Sequence, residues 1–202
     1  MAPSLPTESI APGLDRDGQR QLLALAREAI TAGGRDDPRI DLAALPPALQ
    51  QERAVFVTLT LNGSLRGCIG SLVATAPLAL ATADAARSAA YRDPRFPPVQ
   101  SEELTAIRIE IAVLSELAPI AVDSRRALLA DLRPGVDGLL LEDGPCRSTF
   151  LPKVWGQLPE PRKFVAQLLS KAGLPPDHWS ETLRAHRYTV SNFAESDTPG
   201  SA

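Results

Sequence analysis

The first strong pattern in the chain is that of an amphipathic helix. Between residues 22 and 30, apolar residues recur at intervals of three and four, the spacing that places side chains on one stripe of a helix. They are Leu22, Leu25, Ala26, Ala29 and Ile30. Asp15 or Asp17 precedes them as a candidate N-cap, and Gly33 follows as a candidate helix stop. The pattern predicts a first helix that packs one face against a core.

A change of period then predicts a β-hairpin. From Ala54 to Leu61, a row of Val and Leu residues alternates with a row of Phe and Thr residues, as in a strand whose successive side chains point to opposite faces. Asn62-Gly63 follows, a dipeptide that adopts the positive backbone angles of a two-residue turn. We expect the segment from Leu65 to Leu72 to return as the paired antiparallel strand.

The rest of the chain mixes strands and helices without strict alternation. Pro77 and the alanine-rich stretch after it predict a helix that runs to about Tyr91, followed by a loop from Arg92 to Val99. Further predicted elements are a strand at Ile107 to Leu114, short strands at Gly138 to Leu141 and Ser148 to Leu151, a helix from Pro161 to Gly173, and a last strand at Arg187 to Phe193. This order is typical of an α+β fold with an antiparallel or mixed sheet.

Composition and charge exclude several classes of protein. The 202 residues, 44% of them hydrophobic, are enough for a sizeable core. A net charge of −3 gives no broad positive field, so we do not expect a dedicated nucleic-acid-binding protein. The sequence has no uncharged apolar run of about 18 residues, so no membrane span is expected. The start of the chain lacks the basic and apolar regions of a secretory signal, which predicts a cytoplasmic protein.

Metal and disulfide chemistry has little support in the sequence. The chain has two cysteines, Cys68 and Cys146, and two histidines, His178 and His186. None of them stands at the spacing of a zinc site, so we predict neither a metal site nor another cofactor. A disulfide between the two cysteines stays open as an alternative, although a reducing cytoplasm disfavours it.

A series of short motifs is more specific than these patterns. The hexapeptide Leu65-Arg66-Gly67-Cys68-Ile69-Gly70 resembles the signature of the AMME-chromosomal-region family, whose prokaryotic members belong to the AmmeMemoRadiSam system. Other blocks stand in that family's order: Asp93 to Pro98, Ile109 to Ile111, Pro134 to Gly138, Phe150 to Pro152, and Lys171 to Pro176. An ordered series of this kind discriminates better than one short motif. The resemblance identifies a domain at residues 15–193, with flexible ends at 1–14 and 194–202.

The resemblance also carries expectations about fold and partners. It implies an α+β fold whose largely antiparallel, barrel-like sheet is flanked by helices and divided into a larger and a smaller lobe. It implies a cytoplasmic pathway shared with a Memo-type protein and a radical-SAM protein. An unknown small ligand is a further candidate partner. The chain itself lacks the three-cysteine motif of a radical-SAM enzyme.

Two alternatives are open for Cys68. If the motif is extended, Arg66 and Cys68 share a face, and the guanidinium would stabilise a thiolate that acts as a nucleophile. Glu110 in the following strand, or a histidine, would then transfer protons. In the structural alternative, Cys68 is a small buried hydrophobic residue, Gly67 and Gly70 permit close packing, and Arg66 pairs with Glu110. Free cysteines are among the most buried residues, which favours the structural alternative.

Several residues are candidates for binding rather than catalysis. In the motif, Gly67, Ile69 and Gly70 would let a ligand or a second chain approach the backbone closely. In the loop, the candidates are Asp93, Arg95 and Phe96, which stand beside proline-restricted backbone and would form a rigid edge. The alternative is a loop whose charges satisfy its own backbone groups. Lys153 would hold an anionic ligand, although a solvated lysine is the commoner outcome.

We therefore expect an accessory binding protein in which the Arg66–Gly70 hairpin and the Asp93–Pro98 loop form one cleft for a partner protein or small ligand. The competing hypothesis is an enzyme that uses Cys68 as a thiolate nucleophile activated by Arg66. A nucleic-acid regulator would require a basic face that the sequence does not indicate.

Overall fold

The computed structural model describes residues 14–33, 39–121 and 123–195, which form two compact units. The first unit contains the described residues up to Leu114 and those from Ser191 onward, and the second lies within Ser115–Val190. Each unit has its own apolar core, which agrees with the expected larger and smaller lobe. Of the predicted flexible ends, residues 1–13 and 196–202 lie outside the described residues. In the described ranges, no helix is long and apolar enough to cross a bilayer.

Helices and strands are mixed along the chain, as the patterns predicted. The helices are α1 Arg16–Thr31, α2 Pro47–Gln50, α3 Leu78–Tyr91, α4 Arg125–Asp131 and α5 Pro161–Lys171. The strands are β1 Val55–Leu61, β2 Ser64–Gly70, β3 Ile107–Leu114, β4 Ala118–Pro119, β5 Gly138–Asp143, β6 Cys146–Phe150, β7 Arg184–Tyr188 and β8 Val190–Ala194. Short 3-10 helices lie at Leu42–Ala44, Ser101–Glu103 and Pro152–Gly156. The α+β class is confirmed.

The first unit contains an antiparallel sheet with the strand order β2-β1-β3-β8. Alternate residues of β1 and β3 are fully buried in one core with residues of α1 and α3, because the period of a strand sends them to the same face. The Asp15 side chain accepts the Gly18 N–H at 2.8 Å and caps α1, and Gly33, with φ 73°, follows its end. The predicted first helix, hairpin strands and third strand are confirmed.

The turn of the hairpin has the backbone that its sequence predicted. Asn62 and Gly63 have φ angles of 53° and 78°, and Leu61 pairs with Ser64. The ladder is irregular one step further, since Leu59 pairs with Gly67 but Thr60 pairs with Leu65. Arg66 is therefore the extra residue of a β-bulge. The bulge breaks the simple alternation from which we expected Arg66 and Cys68 to share a face.

The second unit contains the strand order β4-β7-β5-β6 over a separate core. One face of β5 packs with α4 and α5, and Phe164 lies at the centre of that core. Its ring stacks on Trp155 with centroids 3.7 Å apart, and the Trp155 indole N–H donates to the main-chain oxygen of Asp137 at 2.7 Å. Stacking and hydrogen bond together fix the loop that precedes β5.

Two expectations are corrected by the structure. The sheet is not barrel-like, because the described strands divide into two four-stranded sheets and no closed barrel forms among them. The predicted last strand is two strands, β7 and β8, which belong to different sheets. The break falls at Thr189, whose N–H and C=O bond to Ser115 instead of a neighbouring strand. Beyond β8, the Glu195 carboxylate accepts hydrogen bonds from Arg27 and from the Ile109 N–H.

Replacing Phe164 with Ala should destabilise the second unit by about 3–5 kcal/mol, because a fully buried stacked ring would leave a cavity. Urea unfolding followed by fluorescence measures this, since Trp155 and Trp179 both pack in this core. The control is Val136→Ala, which removes a side chain that is 42% exposed and should change the free energy of unfolding by no more than about 0.5 kcal/mol. Equal losses in the two variants would contradict the prediction.

Candidate functional site

The motif Leu65–Gly70 forms most of β2, which lies at the edge of its sheet. On one side it packs against α3 with almost no space between the two backbones. A Cβ atom placed on Gly67 would lie 2.1 Å from the Ala89 main-chain oxygen. A Cβ atom on Gly70 would lie 2.3 Å from the Val55 main-chain oxygen. Both glycines are therefore required by packing within the first unit.

Arg66 is buried and fully engaged. Its guanidinium donates to the two carboxylate oxygens of Glu103 at 2.7 and 2.9 Å and to the main-chain oxygen of Pro97 at 2.9 Å. The Arg66–Glu110 pair of the structural alternative is therefore wrong. Glu110 stands on β3, which β1 separates from β2. Glu103 lies in the 3-10 helix that follows the Asp93–Pro98 loop. The pairing ties the motif strand to the far end of that loop.

The charge of Glu103 is strongly stabilised in the folded protein. Hydrogen bonds from Arg66, together with one from the Gln100 N–H, lower the pKa of Glu103 to about 2. The same pairing raises the pKa of Arg66 above its ordinary value. Both groups are therefore ionised throughout the physiological range, and each neutralises the other.

Asp93 makes the second connection between the loop and β2. Its buried carboxylate accepts the Cys68 N–H at 2.9 Å, the Arg95 N–H at 3.1 Å, and the Arg95 guanidinium at 2.6 and 2.9 Å. The Arg95 side chain, with the two main-chain donors, holds the pKa of Asp93 far below its ordinary value. Arg95 in turn donates to the Cys68 main-chain oxygen at 3.1 Å. The loop is thus anchored to the main chain of β2 at Cys68 through its own charges, and of these bonds only that of the Arg95 N–H to Asp93 is a local backbone contact within the loop.

Cys68 lies in a polar row across three strands. Thr58 on β1 stands opposite Cys68 on one side and Glu110 of β3 on the other. The Thr58 hydroxyl donates to the half-buried Cys68 sulfur at 3.3 Å, and the Arg95 guanidinium donates to the main-chain oxygen of the same residue. Two strand spacings put the Cα atoms of Cys68 and Glu110 about 10 Å apart, so Thr58 is the immediate neighbour of the thiol.

Beside the end of the motif strand lies an open apolar groove of about 330 Å³. Its walls are the last residues of β2, the segment after it, and the first turns of α3. The lining side chains include Ile69, Val73, Leu80 and Ala81, with Arg53 and Asp84 as the charged residues that line it. Val73 is 46% exposed and Leu80 is 37% exposed, so the groove presents apolar surface to solvent.

The structure brings together most of the residues that the sequence singled out. Within the first unit, Cys68, Asp93 and Arg95 form one bonded network, and the Arg95 guanidinium carbon lies 5.5 Å from the centre of the Phe96 ring. Arg66 belongs to a separate network with Glu103 and the Pro97 main-chain oxygen. Lys153 is exposed in the second unit, in the 3-10 helix after β6.

Sequence reasoning missed Glu103, Thr58 and the groove residues Val73 and Leu80. One signal for Glu103 was available, because Gln100 to Glu103 has the pattern of a capping box, but that pattern does not identify Glu103 as the partner of Arg66. Among the described residues, no group of three or more His, Cys, Asp or Glu side chains is placed to hold a metal ion, and both cysteines are free thiols.

The fold and the site define an α+β protein whose glycine-rich, cysteine-bearing edge strand is locked to a proline-rich loop. The AMMECR1 family model matches residues 23–193, so the chain belongs to the AMMECR1 family. This confirms the resemblance on which the sequence analysis relied.

Relatives in archaea match along nearly the whole chain. A Methanothermobacter thermautotrophicus protein is 42% identical over 187 residues, which cover 90% of this chain and 96% of that protein. A Methanosarcina acetivorans protein is 37% identical over 190 residues, with 90% and 93% covered. The crystal structure of an uncharacterised Pyrococcus horikoshii protein is similar with a TM-score of 0.73 and 35% identity, covering 86% of this chain and 89% of that one.

Gly67→Ala should destabilise the first unit by about 1–3 kcal/mol or prevent folding, because the new methyl group would collide with the Ala89 backbone. Thermal unfolding followed by circular dichroism measures the loss. Gly156→Ala is the matched control, since it adds the same methyl group where no atom lies within 4 Å. Similar melting temperatures for the two variants would contradict the packing argument.

Glu103→Gln should lower stability at neutral pH, and the difference from the natural protein should shrink on acidification. The folded-state pKa of about 2 lies below the ordinary value of 4.5, so the carboxylate's contribution is fully present above pH 4.5 and is lost as the pH falls towards 2. The free energy of unfolding at several pH values in this window tests it. Glu102→Gln, at the exposed neighbouring residue, is the control. A difference that stays constant with pH would refute the assignment.

Proposed function

We propose that this protein is a cytoplasmic accessory protein that binds a partner protein through the apolar groove beside Ile69 and Gly70. The observation that carries the proposal is the open groove at the end of the motif strand, where Val73 and Leu80 expose much of their apolar surface. Concave apolar surface of this kind marks interaction sites in soluble domains.

Two buried charged residues, one in the motif and one in the loop, support binding because their ion pairs hold the surrounding backbone in one conformation. Arg66 and Asp93 are buried, and their charges are balanced by Glu103 and Arg95. Because these bonds hold β2, the loop and the 3-10 helix in one arrangement, the groove wall is ordered before a partner arrives. A preorganised surface loses less conformational entropy on binding.

Family membership supplies the candidates for the partner. The resemblance of the motif series to the AmmeMemoRadiSam system points to the Memo-type protein and the radical-SAM protein of that system. An apolar groove with one basic and one acidic side chain in its walls suits a protein partner better than a small anionic ligand. The proposed role is therefore to dock one of these two proteins.

Val73→Asp should weaken binding of that partner at least about 30-fold, equivalent to about 2 kcal/mol, because a carboxylate would be desolvated in an apolar contact. Isothermal titration calorimetry with the purified Memo-type and radical-SAM proteins measures the affinities. Val136→Asp is the matched control, since this valine is also exposed but lies in the second unit. The proposal fails if neither protein binds the natural chain, or if both variants bind alike.

A second candidate function is an enzyme that uses Cys68 as a nucleophile. The specific observation that favours it is the Thr58 hydroxyl 3.3 Å from the Cys68 sulfur, with the Arg95 guanidinium held at the main-chain oxygen of the same residue at 3.1 Å. Arg95 takes the role that the sequence analysis gave to Arg66, because the charge of Arg66 is balanced by Glu103. Glu110 stands in the same row beyond Thr58.

The enzyme hypothesis predicts rapid alkylation of Cys68 in the folded protein. In a Cys146→Ala background, iodoacetamide should react faster at pH 7 than with the unfolded chain, and Arg95→Gln should slow it because a cation favours the thiolate. Arg66→Gln provides a comparison, with folding checked for both variants by circular dichroism. Labelling that occurs only on unfolding would assign Cys68 a structural role. The enzyme hypothesis would then fail, and only the binding proposal would remain.

A further inference from the structure

The edge of β2 offers main-chain hydrogen bonds outward at regular positions. The Ser71 N–H donates to the Val55 oxygen at 3.0 Å, which identifies this pair as hydrogen-bonded in the antiparallel ladder with β1. Because bonded and non-bonded pairs alternate, Gly70 and Cys68 direct their N–H and C=O groups away from β1. The Cys68 N–H does point outward, since it donates to the Asp93 carboxylate.

At Cys68 the protein satisfies this open edge with its own loop. The Asp93 carboxylate accepts the N–H and the Arg95 guanidinium donates to the C=O, so two side chains occupy the place of a neighbouring strand. An additional strand therefore cannot pair at Cys68.

At Gly70, the next outward position, the edge is open. Gly70 is exposed. Among the described residues, no loop or side chain forms a hydrogen bond with its outward-pointing N–H and C=O groups. The groove begins at the same residue, because Gly70 forms part of its wall between Ile69 and Ser71. Main-chain donors and acceptors thus stand directly beside an apolar depression.

The charges at the groove indicate what kind of chain would fit. Asp84 is paired with Arg87 at 2.9 Å. Arg53 bonds to the Gln51 side-chain oxygen at 3.1 Å and has no carboxylate partner among the described residues. The charge left uncompensated in the groove lining is therefore positive, and a carboxylate on the occupant would complement it.

We propose that the groove takes an extended peptide segment of a partner protein, which pairs with the edge of β2 at Gly70 and carries an apolar residue with an acidic residue two positions away. Side chains two positions apart in a strand share a face, so the apolar residue enters the groove between Val73 and Leu80. The acidic residue points to the same face and pairs with Arg53, which also lines the groove. This mode of docking rests on the proposed binding function and specifies the chemistry of the partner.

A phage-displayed library of random heptapeptides, selected on the natural protein and counter-selected on Val73→Asp, tests the proposal. The expected winners combine apolar and acidic residues. A winning peptide should bind at least tenfold more weakly to Arg53→Glu than to the natural protein, whereas Arg126→Glu, at an exposed arginine of the second unit, should leave binding unchanged. Exchange of the peptide's acidic residue for lysine should restore binding to Arg53→Glu.

Methylation of the peptide's main-chain nitrogens one at a time distinguishes strand pairing from side-chain docking. Methylation at one position should abolish binding, because the nitrogen at that position donates to the main-chain oxygen of Gly70. No enrichment, winners without acidic residues, or insensitivity to every methylation would each overturn the inference. The Memo-type or radical-SAM protein could bind in a way that depends on Val73 although the peptide experiments give negative results. The proposed function would then stand, and strand pairing at Gly70 would be ruled out. If the peptide results hold but neither protein binds, the mode stands and those partners are wrong.

Discussion

The arrangement of the motif strand depends on one buried carboxylate. Asp93 takes two main-chain N–H groups and the Arg95 guanidinium, and by doing so it closes the edge of β2 at Cys68. Only the carboxylate of this ion pair is buried, because the Arg95 side chain is 53% exposed, and loss of the cation would leave an unpaired charge in the interior. The loop geometry is therefore imposed by the cost of leaving Asp93 or the Cys68 N–H unsatisfied. The Arg66–Glu103 pair holds the other end of the same loop.

This constraint changes what the Leu65–Gly70 signature means. Its glycine at 67 lets α3 approach β2, and its arginine holds the 3-10 helix, so most of the motif serves the architecture of the first unit. The end of the strand, where Gly70 and the apolar groove meet solvent, is the part to which we assign recognition in the proposed function. A motif that looks catalytic from residue types alone thus produces a rigid surface, with the Cys68 thiol as its one nucleophilic group.

In the second unit, too, carboxylates that accept several hydrogen bonds hold the connections between elements. Asp137 is fully buried and accepts the main-chain N–H and guanidinium of Arg133, with Arg187 nearby at 3.3 Å. Asp143 at the β5–β6 turn accepts from the Thr182, His178 and Ser180 side chains, which lower its pKa to about 2. In both units, carboxylates fix long connections whose backbone groups no neighbouring strand satisfies. The apolar cores position the elements, and these carboxylates position the loops between them.

The sequence by itself determined the local elements. Periodicity and turn chemistry were sufficient for the first helix, the Asn62-Gly63 hairpin, the Ile107 strand and the α+β class, because each depends on residues close together in the chain. Tertiary structure alone decided the partner of Arg66, the bulge beside it, the division of the last strand at Thr189, and the groove at Gly70. Those features depend on which distant backbone or carboxylate comes within hydrogen-bonding distance, and no spacing along the chain encodes that distance.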